Sequence, residues 1–218
     1  MVKKRIIETN EGIQNEFSAE LFDSFAKSMR NRGLMHTNAF LTAGICIGNV
    51  LEIGPGPGYV GLEWLKVCPD GTLTGLEISP AMIRIAQKNA NEYGFGNRTS
   101  YIQGNCLEMP FGDNTFDGVI SNSSLHEWES PKKVFSEIHR VLKPGGRFCI
   151  GDLRRNISPF SKWMMLPMCR PKEMRPGFSS SLNASYTADE LTDILKQTAI
   201  LEYAITQDFT GVTITGKI

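Results

Sequence analysis

The sequence predicts a doubly wound α/β fold, in which helices cover both faces of a mainly parallel sheet. Short apolar runs bounded by glycine, aspartate or asparagine alternate with amphipathic stretches between residues 50 and 152. Such runs are typical of buried parallel strands, and their alternation with helices is typical of βαβ units. The five runs are 50–53, 72–76, 100–102, 116–120 and 147–150.

Capping signals mark where several helices should begin. Ser79 followed by Pro80 predicts an N-cap and a first helical residue. Pro131 opens a second helix, with apolar residues at helical spacing behind it. Thr187, with Glu190 three residues later, has the pattern of a capping box. We therefore expect a helix to begin at each of these three positions. Two stretches near the end of the chain, 202–207 and 212–217, alternate apolar and polar residues and predict a final strand hairpin.

Composition excludes two classes of protein. The 218 residues include 23 Lys and Arg against 23 Asp and Glu, and 41% are hydrophobic. A disordered chain needs lower hydrophobicity and a larger net charge, and a non-specific nucleic-acid binder needs a basic surplus. We therefore expect a globular protein without a nucleic-acid partner.

Cysteine usage and the start of the chain predict a cytoplasmic protein. The five cysteines are widely spread and form no C-x-x-C pair, which argues against a disulfide framework and against a zinc site. No apolar stretch reaches the roughly 20 residues of a membrane span, and the basic start lacks the apolar run of a signal peptide. We expect no membrane span and no metal, and the sequence leaves the oligomeric state open.

Glycine alternates with proline directly after the first apolar run. Gly54, Gly56 and Gly58 follow a strand that carries Glu52 near its end. Glycine lets a backbone approach a ligand closely, and doubly wound folds bind ligands at the carboxyl ends of their parallel strands. A carboxylate at Glu52 suits a ligand that carries an ammonium group.

The same loop also fits a dinucleotide-binding protein. Residues 56–61 match the G-x-G-x-x-G fingerprint. Glu77, at the end of the second run, could accept both ribose hydroxyls of NAD or of another adenosine ligand. Pro55 and Pro57 argue against NAD, because they remove N–H donors that a phosphate-binding turn would use. An NAD(P)-linked oxidoreductase remains an alternative.

Five motifs, in this order, resemble those of the class I S-adenosylmethionine-dependent methyltransferases, closest to the small-molecule type related to the ubiquinone/menaquinone C-methyltransferases. The resemblance implies a Rossmann-like, doubly wound sheet of seven strands, mostly parallel with an antiparallel last strand. It also implies S-adenosyl-L-methionine as cofactor and methyl transfer to a small-molecule acceptor. The motifs lie at 50–59, 75–79, 104–111, 115–122 and 142–148.

The resemblance also implies which residues bind the cofactor. Glu52 and the glycine loop would hold its methionine part, Glu77 its ribose hydroxyls, and Asn122 would flank the methyl-donor end. Asn105 stands where the family usually has aspartate, so an uncharged amide oxygen would accept from the adenine amino group. The full predicted set is Glu52, Ile53, Gly54, Gly56, Gly58, Tyr59, Glu77, Ile78, Met82, Asn105, Cys106, Asn122 and Leu125.

Three residues are candidates for the acceptor side. His126 could act as a general base, since its loop should face the transferred methyl group, or it could orient the loop or pack. Arg154 could bind an acidic group of the acceptor, or belong to a solvated basic loop. Tyr186 could reach into the pocket, or anchor a loop. Because no base is obvious, a non-catalytic S-adenosylmethionine-binding protein is a further alternative.

The chain is predicted to form a single methyltransferase domain over 1–218. An apolar stripe on a helix near 15–30 could close over the cofactor as a lid or pack as ordinary core. A long irregular insertion with short helical pieces should follow the core. The four regions are an N-terminal helical lid region (1–48), a cofactor-binding core (49–152), a substrate-side insertion (153–186) and a C-terminal helix with a strand hairpin (187–218).

Overall fold

A computed structural model describes residues 4–7 and 12–218, so part of the predicted lid region (1–3 and 8–11) lies outside the described residues. The strands are β1 Gly48–Ile53, β2 Gly71–Glu77, β3 Thr99–Gln103, β4 Phe116–Asn122, β5 Leu142–Leu153, β6 Glu202–Gln207 and β7 Gly211–Lys217. The helices are α1 Glu16–Asn31, α2 Thr37–Thr42, α3 Tyr59–Val67, α4 Pro80–Glu92, α5 Pro131–Val141, α6 Pro159–Met165, α7 Arg175–Ala184 and α8 Ala188–Leu195.

The seven strands form one sheet in the order β3-β2-β1-β4-β5-β7-β6. Neighbouring strands from β3 to β5 pair in parallel, whereas β7 pairs antiparallel with both β5 and β6. The predicted fold class is therefore confirmed, including the antiparallel last strand. The strand order reverses beside β1, which lies between β2 and β4, and such a switch point opens a crevice at the carboxyl ends of the strands.

The predicted helix starts are confirmed. The Ser79 hydroxyl accepts from the N–H of Met82, with Pro80 at the first helical position of α4. Thr187 and Glu190 form a reciprocal capping box at the start of α8. Each of these caps satisfies N–H groups that have no partner inside the helix.

Two apolar layers, one on each face of the sheet, hold the helices in place. On one face Trp64 of α3 is fully buried, and its indole N–H donates to the carbonyl of Ile45 at 2.8 Å. On the other face Phe135 of α5 packs between Trp128 and Phe148, with ring centroids 5.8 and 6.2 Å away. These layers fix the strand ends from which the site is built.

Two local expectations need correction. The run 100–102 was expected in a buried strand, but β3 lies at the edge of the sheet and its residues are half-buried or exposed. The insertion 153–186 is more regular than expected, because it contains α6, two 3-10 turns (Leu166–Met168 and Lys172–Met174) and the ten-residue helix α7. Its helices have few apolar repeats, and periodicity therefore gave little signal there.

Candidate active site

A cavity of about 810 Å³ opens at the carboxyl ends of β1, β2, β4 and β5, where the topological switch point lies. Its wall also takes residues from α1, α6 and α7. Eleven of the sequence-predicted residues line it, so the fold brings together most of the predicted set. They are Ile53, Gly54, Gly56, Tyr59, Glu77, Ile78, Met82, Asn105, Cys106, Asn122 and His126.

Glu77 ties the glycine loop to the end of β2. One carboxylate oxygen accepts from the N–H of Gly56 and the other from the N–H of Ser79, each at 3.0 Å. Burial raises the pKa of Glu77, and the backbone N–H donors oppose that shift. The side chain reaches the cavity wall, where its remaining lone pairs can accept hydroxyl groups.

The residues predicted to contact the adenine lie partly in an apolar wall of the cavity and partly in a turn. Ile78 and Met82 line the cavity beside Cys106, and burial raises the pKa of the Cys106 thiol to about 12. Asn105 is exposed, and its side-chain oxygen accepts from the N–H of Leu107 at 2.9 Å. The oxygen that was expected to accept from adenine is therefore already part of a local turn, and only its second lone pair remains for a ligand.

Three predicted cofactor residues do not line the cavity. Glu52 is buried beneath the loop, where the N–H of Gly61 donates to its carboxyl group and Oε2 has no hydrogen-bond partner among the described residues. Burial raises the pKa of Glu52 to about 8. Gly58 is the N-cap of α3, and Leu125 is buried in the core. Their predicted contacts with the cofactor remain predictions.

Arg154 and Tyr186 also lie outside the cavity wall. The Arg154 guanidinium donates to the carbonyl of Asp208 at 2.9 Å and to the side chain of Asn156 at 3.1 Å. Tyr186 is buried in the core, with the Arg5 guanidinium 4.1 Å above its ring. Arg154 thus makes hydrogen bonds to nearby loop residues, and Tyr186 packs in the core. These positions agree with the alternatives of a basic loop for Arg154 and an anchoring role for Tyr186.

His126 forms a buried pair with Asp152. The imidazole Nδ1 lies 3.0 Å from both carboxylate oxygens of Asp152. The same carboxylate accepts from the backbone N–H of His126 at 2.7 Å and from that of Leu153 at 2.6 Å. A carboxylate held by N–H donors favours the tautomer in which Nδ1 carries the proton, and the lone pair then lies on Nε2. Both residues line the cavity.

The loop that carries His126 is braced against the end of β1. Ser121 donates its hydroxyl to the carbonyl of Ile53 at 2.7 Å, and the Trp128 indole donates to the Ser124 hydroxyl at 3.1 Å. Ser123 adopts a φ of +60°, which a non-glycine residue rarely does outside tight turns and functional sites. Such bracing holds a side chain in one position relative to the glycine loop.

Sequence reasoning missed the residues that make most of the cavity apolar. The sequence also did not predict that Asp152 pairs with His126, although an acid near the end of a buried strand was a usable signal. The apolar residues come from separate helices whose mutual approach no local pattern shows. They are Met164, Met165, Met168, Met174, Phe178 and Phe209, whereas Phe22, Phe25 and Met29 belong to the stripe near 15–30 that was considered as a lid.

The described residues contain no cluster of His, Cys, Asp or Glu suited to a metal ion. None of the described helices is both long enough and apolar enough to cross a bilayer.

Comparison with known proteins agrees with this geometry. Residues 51–150 match a family described as a methyltransferase domain. Demethylmenaquinone methyltransferase of Symbiobacterium thermophilum is 28% identical over 172 residues, which cover 71% of this chain and 68% of that protein. Erythromycin 3''-O-methyltransferase of Saccharopolyspora erythraea is 35% identical over 112 residues, which cover 51% of this chain but 37% of that protein.

A solved structure of a methyltransferase resembles nearly the whole chain. A protein of Methanococcus maripaludis, assigned as an S-adenosyl-L-methionine-dependent methyltransferase, superposes with a TM-score of 0.75 at 25% identity. The match covers 97% of this chain and 96% of that one. None of these three likenesses supports an NAD(P)-linked oxidoreductase. The chain is thus similar to the class I S-adenosylmethionine-dependent methyltransferases, including those that methylate demethylmenaquinone, and it is an enzyme that uses S-adenosyl-L-methionine.

Proposed function

We propose that this enzyme methylates a hydroxyl group of a small, uncharged and largely apolar acceptor, with His126 as the general base. The His126–Asp152 pair in the cavity wall carries the proposal. A hydroxyl needs a base when it attacks, whereas a neutral amine or a thiolate needs one less. The relative named erythromycin 3''-O-methyltransferase supports an oxygen acceptor.

The residues present fit the cofactor. The cavity holds about 810 Å³, and the Glu77 carboxylate lies in its wall beside the apolar side chains of Ile78 and Met82. Glu77 would accept the ribose hydroxyls, and the apolar pair would lie against the adenine. The bound cofactor supplies an electrophilic methyl group on a good leaving group, so the protein contributes chiefly alignment and exclusion of water.

His126 then has one defined task. Its Nε2 would take the proton of the acceptor hydroxyl as that oxygen receives the methyl group, which the bound cofactor would supply before leaving as S-adenosylhomocysteine. Asp152 fixes the imidazole and stabilises the imidazolium that forms. Asp152 is therefore a positioning residue, and His126 is the proposed catalytic residue.

The cavity lining favours an uncharged acceptor. No Lys or Arg among the described residues lines it, whereas Glu77, Asp152 and Asp208 do. An anionic acceptor would meet these carboxylates without a Lys or Arg side chain in the wall to offset them. An acidic acceptor was one possibility suggested by the basic residues of the insertion, with Arg154 ranked first, but Arg154 donates to the carbonyl of Asp208 outside the wall.

An acidic carbon is the second candidate acceptor. The relative named demethylmenaquinone methyltransferase supports it, and the same base could remove a proton from carbon. The apolar lining suits either acceptor.

We also propose the four-region division of the chain. Phe22, Phe25 and Met29 of α1 line the cavity, which supports a lid role for the N-terminal region. Met164 of α6 and Phe178 of α7 line it as well, which supports an acceptor-side role for the insertion. A cytoplasmic location stays a prediction.

Methyl transfer from labelled cofactor to matched acceptors tests the proposal. An alcohol, an amine, a thiol and a carboxylic acid on one bulky apolar skeleton are compared, together with a carbon acid. We expect label in the alcohol or the carbon acid, and a rate lower by about 10²- to 10⁴-fold in His126→Gln and Asp152→Asn.

Two controls make this result specific. His139→Gln changes a half-buried histidine of α5 outside the cavity and should keep the wild-type rate. Binding of S-adenosylhomocysteine should be unchanged in all variants, which shows that the fold is intact. Methylation of the amine or thiol at a rate independent of His126 would contradict the proposed base.

A further inference from the structure

Helix α6 turns its apolar side outward. Phe160 and Trp163 are 65% and 67% exposed, and their ring centroids lie 5.9 Å apart. Ser161, between them in sequence, is 5% exposed. An ordinary surface helix buries its apolar face and exposes its polar one, so this arrangement is inverted. Exposed aromatic pairs of this kind mark interaction surfaces.

The exposed face is continuous with the mouth of the cavity. Met164, next to Trp163 on α6, is partly exposed and also lines the cavity. Leu34 and Phe209 are likewise partly exposed and line the cavity. An apolar surface thus extends from α6 into the acceptor side of the cavity.

The insertion around α6 is also basic. Residues 153–186 contain six Lys and Arg and a single acidic residue, although the whole chain has equal numbers of each. Arg170 and Lys172, which follow α6, are exposed. Exposed aromatic side chains beside basic ones are the combination that binds the interface of an anionic lipid bilayer.

We propose that α6 docks on an anionic phospholipid surface, with Phe160 and Trp163 in the interfacial layer and the cavity mouth facing the lipid. An apolar acceptor dissolved in the bilayer would then reach the cavity without crossing water. That route rests on the proposed function, whereas the docking itself rests only on α6 and its surroundings.

The aromatic pair of α6 is by itself too small for a stable interface with a second copy of the chain. An aromatic side chain buries about 150–250 Å² when fully covered, so these two offer at most roughly 350 Å². A stable protein interface needs about 800 Å² from each partner. A partner chain seated here would also cover the mouth of the cavity.

Vesicle binding tests the docking directly. The full chain is mixed with phosphatidylcholine vesicles with and without phosphatidylglycerol, and bound protein is separated by flotation. Trp64 and Trp128 are buried, so a blue shift of tryptophan fluorescence would report on Trp163. We expect binding and a blue shift with phosphatidylglycerol, weaker binding at high salt, and at least about tenfold weaker binding for Phe160→Ser.

The control is Leu201→Ser, which removes an 88% exposed apolar side chain that does not line the cavity. It should bind vesicles as the wild type does. The proposal is overturned if the wild type does not float, if Phe160→Ser floats equally well, or if the face instead mediates dimers that Phe160→Ser dissociates. Vesicle binding does not require methyl transfer, so its failure and that of the proposed function can be told apart.

Discussion

At the scale of single residues, Glu52 shows how burial shifts the protonation of a carboxyl group. Burial raises its pKa to about 8, and the nearby Glu77 adds to the shift. An unfolded glutamate has a pKa near 4.3. Between these two values the folded protein keeps a proton that the unfolded chain has lost. The contribution of Glu52 to stability is therefore full below about pH 4.3 and is lost as the pH rises through 8.

Glu52→Gln removes this titration while keeping the shape of the side chain. We expect the free energy of unfolding of the apo wild type to fall relative to the variant by about 3 kcal/mol between pH 6 and pH 9. Urea denaturation at both pH values measures this difference. Glu20→Gln, an exposed position on α1, is the control and should show no such trend. A difference that does not vary with pH would show that Glu52 is ionised throughout.

The sequence predicts residues at strand ends better than residues that meet through the fold. Glu77 and Asn122 each end a strand, and the parallel sheet brings them to one edge. Asp152 acts on His126 across 26 positions of sequence, which no spacing reveals. Arg154 was expected near the acceptor because it follows a strand closely, but its side chain turns to Asp208.

At the scale of elements, the glycine loop between β1 and α3 has a strict steric requirement. Gly58 has a φ of +84°. A Cβ there would lie 2.8 Å from the hydroxyl of Tyr101 and 3.3 Å from the Cβ of Ala86. Both the left-handed backbone and the close approach of α4 therefore favour glycine.

Gly58→Ala should destabilise the protein by about 2–5 kcal/mol, because a left-handed conformation costs about 1–2 kcal/mol and overpacking adds about 1–3 kcal/mol. Gly94→Ala is the matched control, since Gly94 has a φ of +74° with no atom within 4 Å of the added Cβ. Gly94→Ala should lose only the free energy that the left-handed backbone costs, about 1–2 kcal/mol. Urea denaturation compares the two, and equal losses would show that Tyr101 moves aside at little cost.

Element prediction succeeded where a local signal defines a boundary. Thr187 with Glu190 starts α8 as the capping-box pattern indicates. Within the insertion, α6 has such a signal in Ser158-Pro159, where the Ser158 side chain caps the helix, but α7 begins at Arg175-Pro176 without a side-chain cap. Its helices are held by packing over the cavity, and packing partners distant in sequence leave no local pattern.

At the scale of the whole molecule, the order of the motifs fixes the topology. Alternating strands and helices predict right-handed crossovers, and these place the switch point beside β1. The cofactor side of the cavity follows from that topology. The acceptor side depends on α1, α6 and α7, whose positions the sequence alone does not define.

Calorimetric titration with S-adenosylhomocysteine, S-adenosylmethionine and NADH distinguishes a methyltransferase cofactor site from a dinucleotide site. We predict saturable binding of the first two and none of NADH. Glu77→Ala should weaken binding about tenfold to hundredfold, because it removes hydrogen bonds to a charged group worth about 1.5–3 kcal/mol. Glu20→Ala should bind as the wild type does. Saturable binding of NADH alone, weakened by Glu77→Ala, would contradict the account and identify a dinucleotide site instead.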